Sequence, residues 1–438
     1  MEITNMVQAN RWSHLTAAFL LLTTTAFAQN TSFKFDFGSG KVAKGYTGVP
    51  AAAVYSEEKG YGFDPATPVK AVDRGGKDAL KGDFVASEKP FYFSVDVPEG
   101  NYKVTVTLGD RKAKTATTVK AESRRLMLEN IQTKPGEFVT KTFIVNIKDR
   151  KIDASRTVGL KPRELTKLDW DNKLTLEFDL QPALAALEIT KVDDQITVFL
   201  AGNSTVVNQN EEPWASWGQM IPRFFKPGVA IANHAESGLS LGSFIGSRRL
   251  EKILSVIKPG DYVFVEFGHN DEKEKGPNDG PYKSYSERLR LFAKEIKQKG
   301  AQLVILTPTA RRSFKEGVMT NSHGDYPDAA KKVAQEENVP LIDLTAQTTA
   351  LYEALGEEGS KNAFVIYPAL NLNDNTHFNP YGAYQIAKLV AEGIKANKLN
   401  LADYLVDTPA FDPKKPDAFQ SFNWPPSPAS SLVKPDGN

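Results

Sequence analysis

The sequence predicts a two-part fold, an antiparallel β-sandwich followed by a doubly wound α/β sheet with helices on both faces. Three observations predict it. Apolar residues alternate from Ser32 to about Val192, short apolar runs alternate with helical patterns from Ile196 onward, and the regime changes once, across Asp193-Asp194-Gln195. Period-two alternation puts one set of side chains on a buried sheet face, whereas unbroken short apolar runs suit strands buried on both faces. At 438 residues the chain accommodates two domains, each able to bury a core.

Residues 1–28 read as an export signal. Arg11 and His14 precede the apolar run Leu15 to Phe27, and Ala26-Phe27-Ala28 supplies small residues for cleavage before Gln29. The run is shorter than the ~20 residues that span hydrocarbon, so the expectation is a secreted or periplasmic chain without a membrane anchor.

Residues 29–193 are expected to form the sandwich. Phe33, Phe35 and Phe37 alternate, as do Phe91 to Val97, Tyr102 to Leu108, Phe143 to Ile147, and Leu174, Leu176, Phe178 and Leu180. Turn formers such as Pro98-Glu99-Gly100-Asn101 separate these runs.

Residues 194–405 are expected to form the α/β domain. Its strands are read at Ile196 to Ala201, Val229 to Asn233, Tyr262 to Phe267, Leu303 to Thr307 and Leu341 to Leu344. Leu289, Phe292, Ala293 and Ile296 mark one helix face, and Ile386, Leu389, Val390 and Ile394 another. Asn379 is a good N-cap for that last helix, and Pro380 suits its first position. Residues 406–438, rich in proline and serine, read as either a loosely ordered strap or a disordered end.

Composition narrows the function. A formal charge of +1 provides no global field for nucleic acid or a membrane surface, so any positive charge that meets an anionic substrate must be local. The absence of cysteine excludes disulfides, thiolate metal sites and a cysteine nucleophile. No histidine or carboxylate pair has metal-ligand spacing, and neither a metal nor a cofactor is expected.

In such a sheet, reacting groups gather beyond the carboxyl ends of the strands. Four polar segments lie there: Gly202-Asn203-Ser204-Thr205, Asn233 to Gly238, Gly268-His269-Asn270-Asp271, and Asp374-Asn375-Thr376-His377 just before the last helix. Together they supply what acyl transfer needs. Ser204, after a turn-permitting glycine, is the candidate nucleophile. His377 is the candidate base, and Asp374, three residues earlier, either orients that imidazole or serves only as a turn residue. The backbone N–H groups of Ser204 and Gly238 and the amide of Asn270 are the candidate oxyanion hole. No Gly-x-Ser-x-Gly elbow surrounds Ser204, which disfavours the larger α/β-hydrolase class.

The order of these blocks resembles the SGNH, or GDSL, hydrolases over residues 196 to about 405. Within that superfamily the chain is most similar to the rhamnogalacturonan acetylesterases, on Ala201-Gly202-Asn203-Ser204-Thr205-Val206, Phe267-Gly268-His269-Asn270-Asp271 and Thr307-Pro308-Thr309. The resemblance implies a flavodoxin-like three-layer domain and removal of acetyl groups from an acetylated plant cell-wall polysaccharide or oligosaccharide, the rhamnogalacturonan of pectin. The usual Gly-Asp-Ser block reads Gly202-Asn203-Ser204 here, and an amide oxygen can still brace the turn. The sandwich resembles galactose-binding-like modules around Pro98 to Val106, which leaves open whether it binds sugar or acts as a spacer. Rival readings are an esterase for another polysaccharide such as xylan, a general GDSL esterase or lipase, and a carbohydrate-binding protein without turnover.

Three further residues are candidates for substrate contact. His269 either touches substrate or braces its loop. Trp214 either stacks on a sugar ring or belongs to the core. Arg311, like Arg248, Arg249 and Arg312, either holds a uronate carboxylate or lies on a solvated surface. His234 and His323 read as structural or surface residues.

Overall fold

The computed structural model describes residues 30–436, so the expected export signal lies outside the described residues. The alternating segments pair as expected from their periodicity. One sheet runs Phe138–Ile147, Gly100–Gly109, Ala183–Val192, Ser32–Phe37 and Thr47–Val49, with Asp83–Ala86 and Lys70–Asp73 extending it. The other runs Tyr61–Phe63, Phe91–Asp96, Lys173–Gln181, Thr115–Ala121 and Arg125–Thr133. Their inner faces meet in one core containing Phe35, Phe93, Val104, Val106, Phe143, Leu176 and Phe178. Leu180 departs from the expected alternation. It takes a left-handed φ of 73° and is only half-buried, because the strand kinks there before the chain turns at Pro182. The pair Ser32–Phe37 and Thr47–Val49 is parallel, and the remaining sandwich pairings are antiparallel.

The second half is a five-stranded parallel sheet. Its order is Val229–Asn233, Ile196–Gly202, Tyr262–Glu266, Gln302–Leu306 and Leu341–Ile342. That 2-1-3-4-5 order reverses direction beside Ile196–Gly202, and ligands of open α/β sheets bind at such switch points. The helix Ser286–Gln298 buries Leu289, Phe292, Ala293 and Ile296 on one face of the sheet, and Pro380–Ala396 buries Ile386, Leu389, Val390 and Ile394 on the other. Asn379 caps the latter, its side chain accepting the Gly382 N–H at 3.0 Å. The fifth strand stops at Ile342 rather than Leu344, because the Asp343 carboxylate accepts the Ala346 N–H and opens a helix there.

Polar and charged contacts join the two halves. Arg249 and Glu164, both fully buried, meet at 2.6 Å, and the Arg249 guanidinium also donates to the His234 carbonyl at 3.0 Å. Lys167 reaches Glu236 at 2.7 Å, again with both side chains buried. Arg125 donates to the carbonyls of Ile231 and Asn146 at 3.0 and 2.8 Å. Buried charges of this kind are tolerated only when paired and hydrogen-bonded, so these contacts fix one relative placement of the halves.

Residues 407–436 form an ordered strap. Phe422 packs on Tyr381 and Tyr384, and Trp424 lies 4.5 Å from the Lys120 ammonium. That ammonium also donates to the Pro425 carbonyl and to Ser427 Oγ, both at 2.8 Å. The strap then crosses the carboxyl ends of the parallel strands, where Ser431 accepts the Trp214 indole N–H at 2.8 Å.

Candidate active site

The first strand ends in a tight turn in which Asn203 Oδ1 accepts the Thr205 N–H at 3.0 Å. Gly202 allows this turn because a Cβ there would come within 2.4 Å of Val206. The strand Leu372–Phe378, just before the last helix, carries the other partners. Ser204 Oγ lies 2.9 Å from His377 Nε2, and His377 Nδ1 lies 2.8 Å from Asp374 Oδ2. Asp374 Oδ1 accepts the N–H groups of Thr376 and His377, both at 2.8 Å. Burial alone would raise the Asp374 carboxyl, but the hydrogen bond and charge of His377 and these two N–H groups more than reverse it, holding it well below the usual range. An ionised Asp374 fixes the imidazole with Nδ1–H toward itself and Nε2 toward the serine.

Gly238 adopts a φ of 77°, a conformation open to glycine, and lines one cavity with Asn270. Among the described residues, the N–H groups of Ser204 and Gly238 have no acceptor. Asn270 Nδ2 donates to the Leu239 carbonyl at 3.0 Å, which uses one of its two amide hydrogens. Its Oδ1 lies 3.3 Å from Lys273 Nζ, fixing which way the amide points. Gln209 links this side to the serine turn, its amide lying 3.1 Å from the Ser204 carbonyl and 3.4 Å from Ser237 Oγ, the residue before Gly238.

Asp271 locks the asparagine loop, accepting the Leu241 N–H at 2.9 Å and the Gly268 N–H at 3.0 Å. Burial raises its carboxyl, the Leu241 N–H opposes this and Glu274 adds to it, leaving it at about 7 against an ordinary 3.8. A carboxyl raised on folding contributes its stability in full below the unfolded value and loses it as pH rises through the folded one. Between about pH 5 and pH 7, the stability of wild type relative to Asp271→Asn should therefore fall, by at most about 1.4 kcal/mol per pH unit. Urea unfolding of both proteins across that range checks this; a difference independent of pH contradicts it.

Asn203 has a local reason to be an amide. Thr205 Oγ1 sits between Asn203 Oδ1 at 2.9 Å and Glu266 Oε1 at 3.0 Å. Glu266 is fully buried and raised by that burial, although Trp217, Thr309 and Thr205 all donate to it. An aspartate at 203 would set a second buried carboxylate across the same hydroxyl. The sequence signal for Glu266 was an acidic residue closing the apolar run Tyr262 to Val265, and it was missed.

The substrate-contact candidates are held by protein instead. Trp214 is 2% exposed, with its ring edge-on to His377 at 5.8 Å and its N–H on the strap, so it has no face open to a sugar. Arg311 is tied to Glu272 at 2.5 Å, to the His269 carbonyl at 3.2 Å and to His323 at 3.1 Å. Arg249 is consumed by Glu164, and Arg312 by Ser360 and the Glu357 carbonyl; Arg248 is exposed. His269 is buried against the His323 ring, and burial, followed by the charges of His323 and Arg311, depresses it well below the usual histidine value. His323 bonds Glu272 and the Thr309 carbonyl. His234 is enclosed by Trp170 and Phe199.

Sheet order and site together define an SGNH-type hydrolase, in which the candidate groups for ester cleavage come from successive strand ends and from the strand Leu372–Phe378 before the final helix. The chain belongs to this superfamily. Residues 200–384 match the GDSL-like lipase/acylhydrolase family, and residues 33–168 match a β-agarase/YXIM esterase-like, galactose-binding domain-like family. The rhamnogalacturonan acetylesterase RhgT of Bacillus subtilis is 46% identical over 48% of this chain and 94% of its own length. The uncharacterized esterase YxiM of the same organism is 29% identical over 84% of this chain and 92% of its own. The crystal structure of the YxiM protein covers 84% of this chain and 99% of its own, at 28% identity and a TM-score of 0.45. The protein is a carboxylic ester hydrolase of the carbohydrate acetylesterase type.

Proposed function

We propose that this enzyme removes O-acetyl groups from the rhamnogalacturonan of pectin through an acetyl-serine intermediate. The observation that carries the chemistry is the unbroken hydrogen-bonded series from Asp374 through His377 to Ser204, set beside N–H groups that have no acceptor among the described residues. Ser204 Oγ attacks the acetyl carbonyl as His377 Nε2 takes its proton. The oxyanion is met by the N–H groups of Ser204 and Gly238 and by the second amide hydrogen of Asn270. His377 returns the proton to the departing sugar oxygen, and water attacks the acetyl-serine with His377 again as base. Asp374 positions the ring and stabilises the imidazolium without taking a proton.

The pectic substrate is supported by the acetylesterase relatives, three of which carry rhamnogalacturonan acetylesterase in their names. A polymer outside the cell also suits the export signal read at residues 1–28. Acetate release from acetylated rhamnogalacturonan, acetylated xylan and a small acetyl ester tests the reading. The expected result is release from rhamnogalacturonan at a kcat/KM well above that for xylan. Faster release from xylan overturns the substrate, and binding of pectin fragments with no release from any ester overturns the activity.

A further inference from the structure

We infer that Lys161 and Arg163, on the sandwich, form a carboxylate-binding subsite beside the oxyanion donors that recognises a hexuronate unit of the substrate and is occupied in this structure by Asp436 of the strap. The inference rests on the pectic reading above and adds to it the residues that recognise acidic sugar.

The subsite is built by the short loop Pro162–Thr166, which Glu164 anchors by its pair with Arg249. That anchor turns the two neighbouring cations toward Gly238. Lys161 Nζ donates to the Ser237 carbonyl at 2.7 Å, and the Arg163 guanidinium donates to the same carbonyl at 2.8 Å. Both cations also reach Asp436, whose Oδ2 lies 3.3 Å from Lys161 Nζ and 3.0 Å from Arg163 Nη1. A Cβ on Gly238 would lie 3.0 Å from Lys161 Nζ and 2.9 Å from the Asp436 Cβ, so Lys161 and Asp436 both pack against the glycine that offers a candidate oxyanion donor. A cavity of about 450 Å³ opens here, lined by Lys161, Gly238, Ser240, Asn270, Lys273, Glu274 and Asp436.

Charge accounting makes this an anion subsite. The local cations are Lys161, Arg163, Lys167, Arg249, Lys273 and Arg288, and the local protein anions other than the strap are Glu164, Glu236 and Glu274, the last paired with Arg288 at 2.5 Å. Glu164 answers Arg249, and Glu236 is shared by Arg163 and Lys167, so positive charge remains for an incoming carboxylate. Lys161 and Arg163 keep 29% and 33% of their side-chain surface exposed, enough to be reached from solvent. In a galacturonate ring, a carboxylate on C5 and acetyl-bearing hydroxyls on C2 and C3 occupy opposite edges. An acetyl group held at Ser204 therefore leaves a uronate carboxylate, on the same or the adjoining unit, projecting away from the serine, and Gly238 joins the two places, being a candidate oxyanion donor that packs against Lys161 and Asp436. Ser204 itself is 1% exposed, and the strap end lies on its neighbours, with Lys434 3.3 Å from Asp374 and Asp436 against Gly238, so substrate entry requires the strap end to lift. Lifting it takes Asp436 out of the subsite, and the substrate carboxylate replaces it.

The test uses full-length protein and an unacetylated digalacturonate as inhibitor of the hydrolysis of a small neutral acetyl ester, with the neutral disaccharide galactobiose alongside. Digalacturonate should inhibit wild type more strongly than galactobiose does. Asp436→Asn, on the exposed strap, should lower its inhibition constant several-fold. Lys161→Met should raise it by on the order of tenfold, the scale of one charge-assisted hydrogen bond, relative to any change for galactobiose. Equal inhibition by the two sugars, or a digalacturonate constant that neither substitution moves, overturns the inference. If acetate release from rhamnogalacturonan persists alongside such a result, the subsite alone has failed; if the enzyme instead prefers xylan, the pectic reading has failed as well.

Discussion

Replacing Ser204 by alanine is expected to lower turnover of a small acetyl ester by about 10⁴-fold or more while leaving the fold intact. The serine hydroxyl contacts His377 Nε2 and supports no structural bond of its own, whereas its backbone carbonyl, which accepts the Gln209 amide at 3.1 Å, survives the change. The residual rate expected is that of the proposed oxyanion donors, which do not depend on the hydroxyl. Asp374→Asn should cost about 10⁴-fold in turnover for a different reason. An amide there cannot stabilise the imidazolium, and it permits the tautomer whose Nε2–H faces the serine. Steady-state kinetics with circular dichroism of each variant check both, and near-wild-type turnover in either contradicts the corresponding role.

The largest expected stability effect lies between the two halves. Arg249→Met should destabilise the protein by about 3–5 kcal/mol, since it leaves Glu164 buried without its cation. Among the described residues, the Glu164 carboxylate then keeps only the Lys161 N–H, at 2.8 Å. Removing both members, in Arg249→Met with Glu164→Met, should recover much of the loss, because the desolvation cost disappears with the pair. Urea unfolding of the two single variants and the double variant measures this. A single-variant loss under about 1 kcal/mol would mean that water reaches the pair and that the interface between the halves is loose.

Much of this architecture was legible in the sequence because it depends on local periodicity. Phe91, Phe93 and Val95 announce a sheet face by alternation, and Asn379-Pro380 announces a helix start by capping chemistry, without knowledge of any distant partner. The four polar blocks were legible because each ends a strand or precedes a helix in one sheet. What the sequence hid depends on partners far along the chain. Arg311 looked available for a carboxylate until the fold brought Glu272 to it, and Trp214 looked available for a sugar until the strap covered it. The strap itself reads as a linker by its prolines. Its order comes from single contacts, such as Trp424 over Lys120, that no local pattern encodes. Lys161 and Arg163 were invisible for the same reason, since Ser237 and Asp436 lie 76 and 275 positions from Lys161.

The central claim is that Ser204 carries the acetyl group between its two owners. Rapid acid quenching of the enzyme during turnover of an activated acetyl ester, followed by digestion and mass spectrometry, tests it most directly. A mass increment of one acetyl group is expected on the peptide containing Ser204, absent from Ser204→Ala. Acetyl label on another residue, or steady turnover in the Ser204→Ala variant, would contradict it.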